Sequence, residues 1–190
     1  MLTGKYIVLF FVILMIIIWP YIRCLFKRLM CIAKIKKVCR NKNYKLYSTH
    51  PLWFFGRKHS KKSDLYIETA NEVFAIKLFG MPRRRTILII KENGEYFIRS
   101  FVAIVSYGSA MRFPIDSKPR PMPIYNFRYE YRVEWETKTP RRILLVNPVS
   151  MEFRYRSNQG SEITLGTGDT VNGMKICSLP YLLGELENAI

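Results

Sequence analysis

The sequence predicts an all-β or mainly β domain, a small antiparallel barrel, roll or sandwich with one C-terminal helix, behind a single N-terminal transmembrane helix. Three observations predict it. Tyr6 to Ile22 contains no charged residue. From Asp64 onward, short apolar runs alternate with turn signals. The charge is divided unevenly. Residues 1–63 hold 14 of the 31 Lys and Arg and none of the 14 Asp and Glu, so the net charge of +17 belongs mostly to the N-terminal third. A basic segment beside a hydrophobic run is what a cytoplasmic membrane flank requires, and it argues against nucleic acid as the partner of the folded part.

The apolar run reads YIVLFFVILMIIIWPYI. As a helix its seventeen residues rise about 25 Å, the short end of a bilayer-spanning length. Trp19 and Tyr21 stand at one end, where amphipathic rings favour the interface, and Lys5 and Arg23 can snorkel outward. A cleaved signal peptide is the rival. No small-x-small site follows the run, which continues Trp19-Pro20-Tyr21-Ile22-Arg23, so residues 1–22 are expected to stay as an anchor. Lys5 precedes the run, whereas Arg23, Lys27, Arg28, Lys34, Lys36 and Lys37 follow it. The positive-inside rule then places the N-terminus outside and the domain in the cytoplasm.

Residues 23–40 form a basic juxtamembrane segment. Ile22, Leu25, Phe26, Leu29, Met30 and Ala33 share one arc of a helix, and Arg23, Lys27, Arg28 and Lys34 share the other. Two readings stand side by side. The helix lies along anionic lipid headgroups, or it continues the membrane helix into the cytoplasm. Lys5, Trp19, Tyr21, Arg23, Lys27, Arg28 and Lys34 are the expected membrane-interface residues. Residues 41–63 read as a basic linker with Pro51 as a helix breaker and an apolar cluster at Leu52-Trp53-Phe54-Phe55.

The domain then occupies 64–190. Asp64–Thr69, Glu72–Phe79, Thr86–Lys91 and Tyr96–Val105 predict a four-stranded antiparallel meander. Asn93-Gly94 predicts a hairpin turn with positive φ at both central positions. Residues 106–125, with Pro114, Pro119, Pro121 and Pro123, predict an irregular connection. Phe127, Tyr129, Tyr131, Val133 and Trp135 alternate with Arg128, Glu130, Arg132, Glu134 and Glu136, the pattern of a half-buried strand. Met151, Phe153 and Tyr155 repeat it against Glu152, Arg154 and Arg156. Arg142–Val146, Glu162–Leu165 and Met174–Cys177 complete the strands. Ser178 and Pro180 predict the N-cap and first turn of the terminal helix.

Signs of chemistry are sparse. Both histidines, His50 and His59, precede the domain, which excludes a Ser-His-Asp or Cys-His site built within it. Cys24, Cys31, Cys39 and Cys177 form no C-x2-C pair, so no metal site and no cofactor is expected. Gly166-x-Gly168 lacks the rest of a phosphate loop and reads as a hairpin turn. Asp64 followed by Ala75 and Lys77 superficially resembles the Asp…Glu-x-Lys arrangement of restriction-type nucleases. There two acids hold Mg2+, but here Ala75 stands in the place of the second acid. Arg83, Arg84 and Arg85 are a possible anion-binding loop for phosphate, lipid headgroup or nucleic acid.

The expected function is a protein-interaction or accessory module of unassigned biochemical activity on a membrane anchor. Its partners would be the lipid bilayer, anionic headgroups, and an unidentified protein or a second copy. Two alternatives remain: anionic lipid or nucleic-acid binding through the basic segment and Arg83–Arg85, and an enzyme built on carboxylates and Lys.

Overall fold

A computed structural model describes residues 2–48, 63–79, 86–106, 109–121, 140–147 and 152–189. The chain opens with helix α1 (Leu2–Asn41), a single uninterrupted rod of 40 residues. Among the described residues twelve strands follow, then helix α2 (Leu179–Asn188). The protein is mainly β, in two sheets, with a C-terminal helix.

Helix α1 ends where its sequence allows a left-handed residue. Asn43 takes φ 55°, Tyr44 N–H donates to Cys39 O at 2.8 Å and Asn43 N–H to Arg40 O at 3.4 Å. Both bonds satisfy terminal carbonyls in the Schellman manner, with Asn in the place glycine usually takes. The chain turns directly into β1 (Lys45–Ser48), which pairs antiparallel with β2 (Leu65–Glu68). Part of the expected linker is therefore an edge strand.

The first sheet has the order β1-β2-β3-β8-β12-β11, with β3 at Val73–Phe79, β8 at Arg141–Val146, β11 at Thr170–Val171 and β12 at Met174–Ser178. The second has the order β10-β9-β4-β5-β6, with β4 at Thr86–Lys91, β5 at Glu95–Ser106, β6 at Ser109–Asp116, β9 at Glu152–Arg156 and β10 at Glu162–Leu165; β7 (Arg120–Pro121) pairs with β5.

Three expectations change here. The four-stranded meander is two hairpins in two different sheets, because β3 turns to β8 in parallel while β4 pairs with β5 and, in parallel, with β9. The sheets are mixed rather than purely antiparallel: β12 also runs parallel to β8. The proline-bearing stretch holds β6, which pairs with β5 over eight residues. Pro114 is tolerated because β6 is an edge strand, where a missing donor breaks no ladder bond on the open side.

Burial follows the strand period. On β8, Ile143 and Leu145 face the helices, in one cluster with Cys31, Ile35 and Cys39 of α1, Phe74 and Ile76 of β3, and Leu182 and Leu186 of α2. Leu144 and Val146 face the second sheet and meet Leu88, Ile90, Phe153 and Ile176. The order is thus helices, first sheet, second sheet. Ile87, Ile89 and Phe97 make a further buried cluster on the outer side of the second sheet.

That outer side carries a charged network. Arg99 grips Asp116 through two bonds (Nε–Oδ1 2.7 Å, Nη2–Oδ2 3.0 Å) and reaches Glu162 at 3.3 Å. Arg154 holds Glu152 with two bonds of 3.0 Å and Glu162 with one of 3.1 Å. Arg156 donates to Glu162 and lies 4.9 Å above the Phe97 ring. The alternation of Phe153 and Tyr155 with Glu152, Arg154 and Arg156 is the half-buried strand its sequence predicts. The similar pattern over 127–136 lies outside the described residues.

The terminal helix begins as its sequence requires. Ser178 is the N-cap, its Oγ accepting from Tyr181 N–H, and Pro180 sits in the first turn. The Asn-Gly signal is displaced. Gly94 alone is left-handed (φ 79°) in a three-residue loop closed by Gly94 N–H to Lys91 O at 3.1 Å. The two-residue turn with positive φ at both central positions is Asn172-Gly173, between β11 and β12.

Candidate functional site

Two places bring charged side chains together around α1 and the first sheet, one at each end of β3. At the first, α1 meets the domain. Asp64 precedes β2, and Lys77 lies near the end of β3. Lys77 Nζ is 3.3 Å from Asp64 Oδ1, Arg28 Nη2 is 3.3 Å from Asp64 Oδ2, and Leu78 N–H donates to Oδ2 at 2.8 Å. Asp64 and Lys77 are both buried. Burial pushes the Lys77 ammonium below its ordinary value, against the Asp64 charge that holds it up. Arg28 thus reaches the domain through Asp64. Below it, Cys31, Ile35 and Cys39 carry the helix into the core at spacings of four.

Asp64 and Lys77 stand together as a nuclease-type pair would, but Ala75 is fully buried in apolar company. Among the described residues no cluster of His, Cys, Asp and Glu has metal-holding geometry. Asp64 and Lys77 form an ion pair at the end of the first sheet, and Arg28 of α1 joins the helix to it through Asp64.

The second place is an open groove of about 630 Å3 at the other end of β3, lined by Thr69, Glu72, Phe74, Arg141, Tyr181 and Glu185, among others. Its carboxylates are engaged: Glu72 with Arg141 at 3.4 Å, and Glu185 with Lys175. The Lys175 ammonium also sits 5.0 Å from the Tyr181 ring. Burial alone would lower the Lys175 pKa, but Glu185 and Tyr181 hold it above its ordinary value. Tyr181 is seated on the turn before β11. A Cβ on Gly168 (φ +108°) would fall 2.6 Å from the Tyr181 hydroxyl, so this position requires glycine.

That turn is no phosphate cradle. Gly166 N–H is taken by Asp169 Oδ2 at 2.7 Å, and Gly168 N–H by Ile176 O at 2.8 Å. Nothing in the sequence pointed to the groove, because Glu72, Arg141 and Glu185 come from three distant segments without a shared motif.

The residues expected at a membrane interface fall as follows. Trp19 is 58% exposed, Lys27 and Arg28 are half-buried, and Lys34 is exposed. The side chains of Lys5, Tyr21 and Arg23 lie outside the described set, as do Arg83, Arg84 and Arg85. Among the described residues no helix is long and apolar enough to cross a membrane. The uncharged run Tyr6 to Ile22 lies within α1. The side chains that are described there are open to solvent: Val12, Ile13, Leu14, Met15 and Ile16 all expose a third or more of their surface. Five consecutive positions cover the full circumference of a helix.

The class this defines is a two-sheet, mainly β domain with a long N-terminal helix docked by its C-terminal half. No family model, no curated protein and no solved structure matches the chain.

Proposed function

We propose that the protein is a single-pass membrane protein whose N-terminal half of α1 lies in the bilayer. Its β domain is then a protein-interaction or accessory module held on the cytoplasmic side. One observation carries the reading: apolar side chains are exposed on every side of α1 from Leu9 to Trp19, in a helix that runs unbroken into the domain core. A helix hydrophobic all round belongs in an apolar surrounding. The rest of the uncharged run, Ile7, Val8, Phe11, Ile17, Pro20 and Tyr21, adds no charge. The excess of basic residues after the run supports the cytoplasmic side for the domain.

A binding role is favoured over catalysis by the state of the groove. Each of its two carboxylates has a cation beside it, and the domain sequence contains no histidine. The groove opens at the Phe74 end of β3, whereas Arg28 and Asp64 mark the Leu78 end, about 13 Å further along the strand. A partner at the groove would therefore meet the domain away from the bilayer. The alternative reading, binding of anionic headgroups through Arg83–Arg85, is motivated by position: Phe79, four residues before Arg83 in sequence, lies at the end of β3 nearest Arg28.

Alkaline carbonate extraction and protease treatment of intact cells test this. Retention of the full-length chain in the membrane pellet, with the domain protected from external protease, is the expected result. Release into the carbonate supernatant would refute the anchor, and external cleavage of the domain would refute its sidedness.

A further inference from the structure

The outward face of the second half of α1 changes character once, from apolar to cationic. One side of this half is taken by the domain: Arg28, Cys31, Ile35 and Cys39 recur at three- and four-residue spacing toward Asp64 and the core. The opposite side of the same turns carries Ile22, Phe26, Leu29, Met30 and Ala33. All five are exposed, Phe26 by 61% and Met30 by 46%. On that same outward side the next residues are Lys36, Lys37 and Arg40, all exposed. Apolar side chains therefore continue eleven residues past the uncharged run on one face only. Cations then replace them with no intervening acid.

We infer that the face made by Ile22, Phe26, Leu29, Met30 and Ala33 lies in the bilayer interface, with the headgroup boundary crossing α1 between Ala33 and Lys36. This rests on the anchor proposed above and adds where the membrane ends. Three considerations select lipid as the occupant. The stripe continues the apolar run within one unbroken helix, so the same medium covers both. Tyr6 to Ala33 rises about 42 Å, longer than the hydrocarbon core of about 30 Å but matched to the core plus headgroup regions. Lys36, Lys37 and Arg40 fall where anionic headgroups would meet them.

The consequence is mechanical. Because the other side of these turns is packed on the domain, the end of the first sheet at Asp64, Lys77 and Leu78 is held at the membrane surface. No flexible tether separates domain from lipid. The groove at the Phe74 end faces away from the bilayer.

Site-directed spin labelling of the full chain tests the inference. Cysteines are placed one at a time by Ile13→Cys, Phe26→Cys, Met30→Cys and Lys37→Cys in a Cys24→Ser background. The protein is held in nanodiscs of mixed phosphatidylcholine and phosphatidylserine, and collision with oxygen is compared with collision with a water-soluble nickel chelate. The unsubstituted background gives the baseline of the buried Cys31, Cys39 and Cys177. The expected result is an oxygen-to-nickel ratio at positions 26 and 30 roughly tenfold above that at 37 and approaching that at 13. Labels at 26 and 30 that collide with nickel as freely as the label at 37, with 13 still lipid-exposed, would overturn this inference and leave the anchor standing. So would labels at 26 and 30 shielded from both reagents, which would mean a protein partner or a second copy covers the stripe. Nickel access at 13 would overturn the anchor itself.

Discussion

The two halves of α1 form one helix but differ in composition and in what covers them. Between Leu9 and Trp19 the helix exposes apolar side chains in every direction, and nothing in the described chain covers them. Between Cys31 and Cys39 it exposes Lys34, Lys36 and Lys37 and buries a stripe of two cysteines and an isoleucine. Among the described residues nothing covers the first half, whereas the second is covered by the chain's own domain. With the first half in the bilayer, as proposed, one rod couples two environments, and its position in one constrains its position in the other. A hinge would require a break in the helix, and α1 has none through Pro20, which removes one backbone donor close to where the uncharged run ends.

The sharpest way to break this comparison is to place the same charge in each half. Ile35→Asp puts a carboxylate in the core among Phe74, Ile143 and Leu182, and a loss of about 4 kcal/mol or more is expected, enough to unfold a marginal domain. Ile13→Asp touches no part of the domain. It should leave the denaturant midpoint unchanged while lowering membrane retention, at an insertion cost of about 3 kcal/mol. Equal effects of the two substitutions on the denaturant midpoint would show that the halves are not independent.

A second test lies at the junction. Asp64→Ala removes the carboxylate that Arg28 and Lys77 both face and the acceptor of Leu78 N–H. Breaking such a buried pair from one side costs about 3 kcal/mol. Arg28→Met, at a partly exposed position, should cost less. If the two variants proved equally mild in a urea titration, the helix would be held by its apolar stripe alone.

The thiols report on the buried half with a smaller signal. Burial pushes the Cys39 thiol up to about 11, against a backbone hydrogen bond that lowers it. The Cys177 thiol is pushed up to about 12 by burial and the Glu185 charge, against Lys175 and Arg141. Alkylation at pH 8 should therefore proceed only as fast as the domain opens, and the rate should rise steeply through the denaturation midpoint. Rapid alkylation of Cys39 in the native protein would place the second half of α1 off the domain.

How much of this was legible in the sequence differs between strands and packing. Strands β2 to β5, β8 to β10 and β12 followed from apolar runs and turn residues, because alternation along a half-buried strand is local, whereas β1, β6 and β7 lie in stretches read as linker or irregular connection and β11 is only two residues long. The partition into two sheets was not legible, since β3, β8 and β12 join in parallel across long separations that no local pattern encodes. The register of Asn172-Gly173 shows a missed cue: the two-residue turn stands there, between strands of only two and five residues, while the more conspicuous Asn93-Gly94 takes a three-residue loop. The amphipathic arc of α1 was legible, but its orientation was not. Arg28 belongs to the cationic side by sequence, and only the fold shows that this side meets Asp64. The groove was invisible because its ion pairs, Glu72 with Arg141 and Glu185 with Lys175, are assembled by topology.

The smallest expected effect separates the charged outer sheet from the apolar coupling of α1. Glu162 is partly buried, which by itself would raise its pKa. The hydrogen bonds from Arg156 and Arg154 and the charges of Arg99 and Arg156 outweigh this and hold its carboxyl down at about 2, below the ordinary 4.5. A carboxyl depressed on folding contributes stability above its unfolded pKa, and that contribution is lost as pH falls from about 4.5 toward 2. Glu162→Gln should therefore cost about 1 kcal/mol at pH 7, a figure kept small because the three arginines are partly solvated. The urea midpoints of variant and parent should converge by pH 2. Asp64→Ala bears on the α1 junction instead, so its cost should add to that of Glu162→Gln in the double variant, the two sites lying in different sheets. A gap between Glu162→Gln and parent that persists unchanged at pH 2 would mean that Glu162 acts by packing, and that the second sheet is held by the same means as the first.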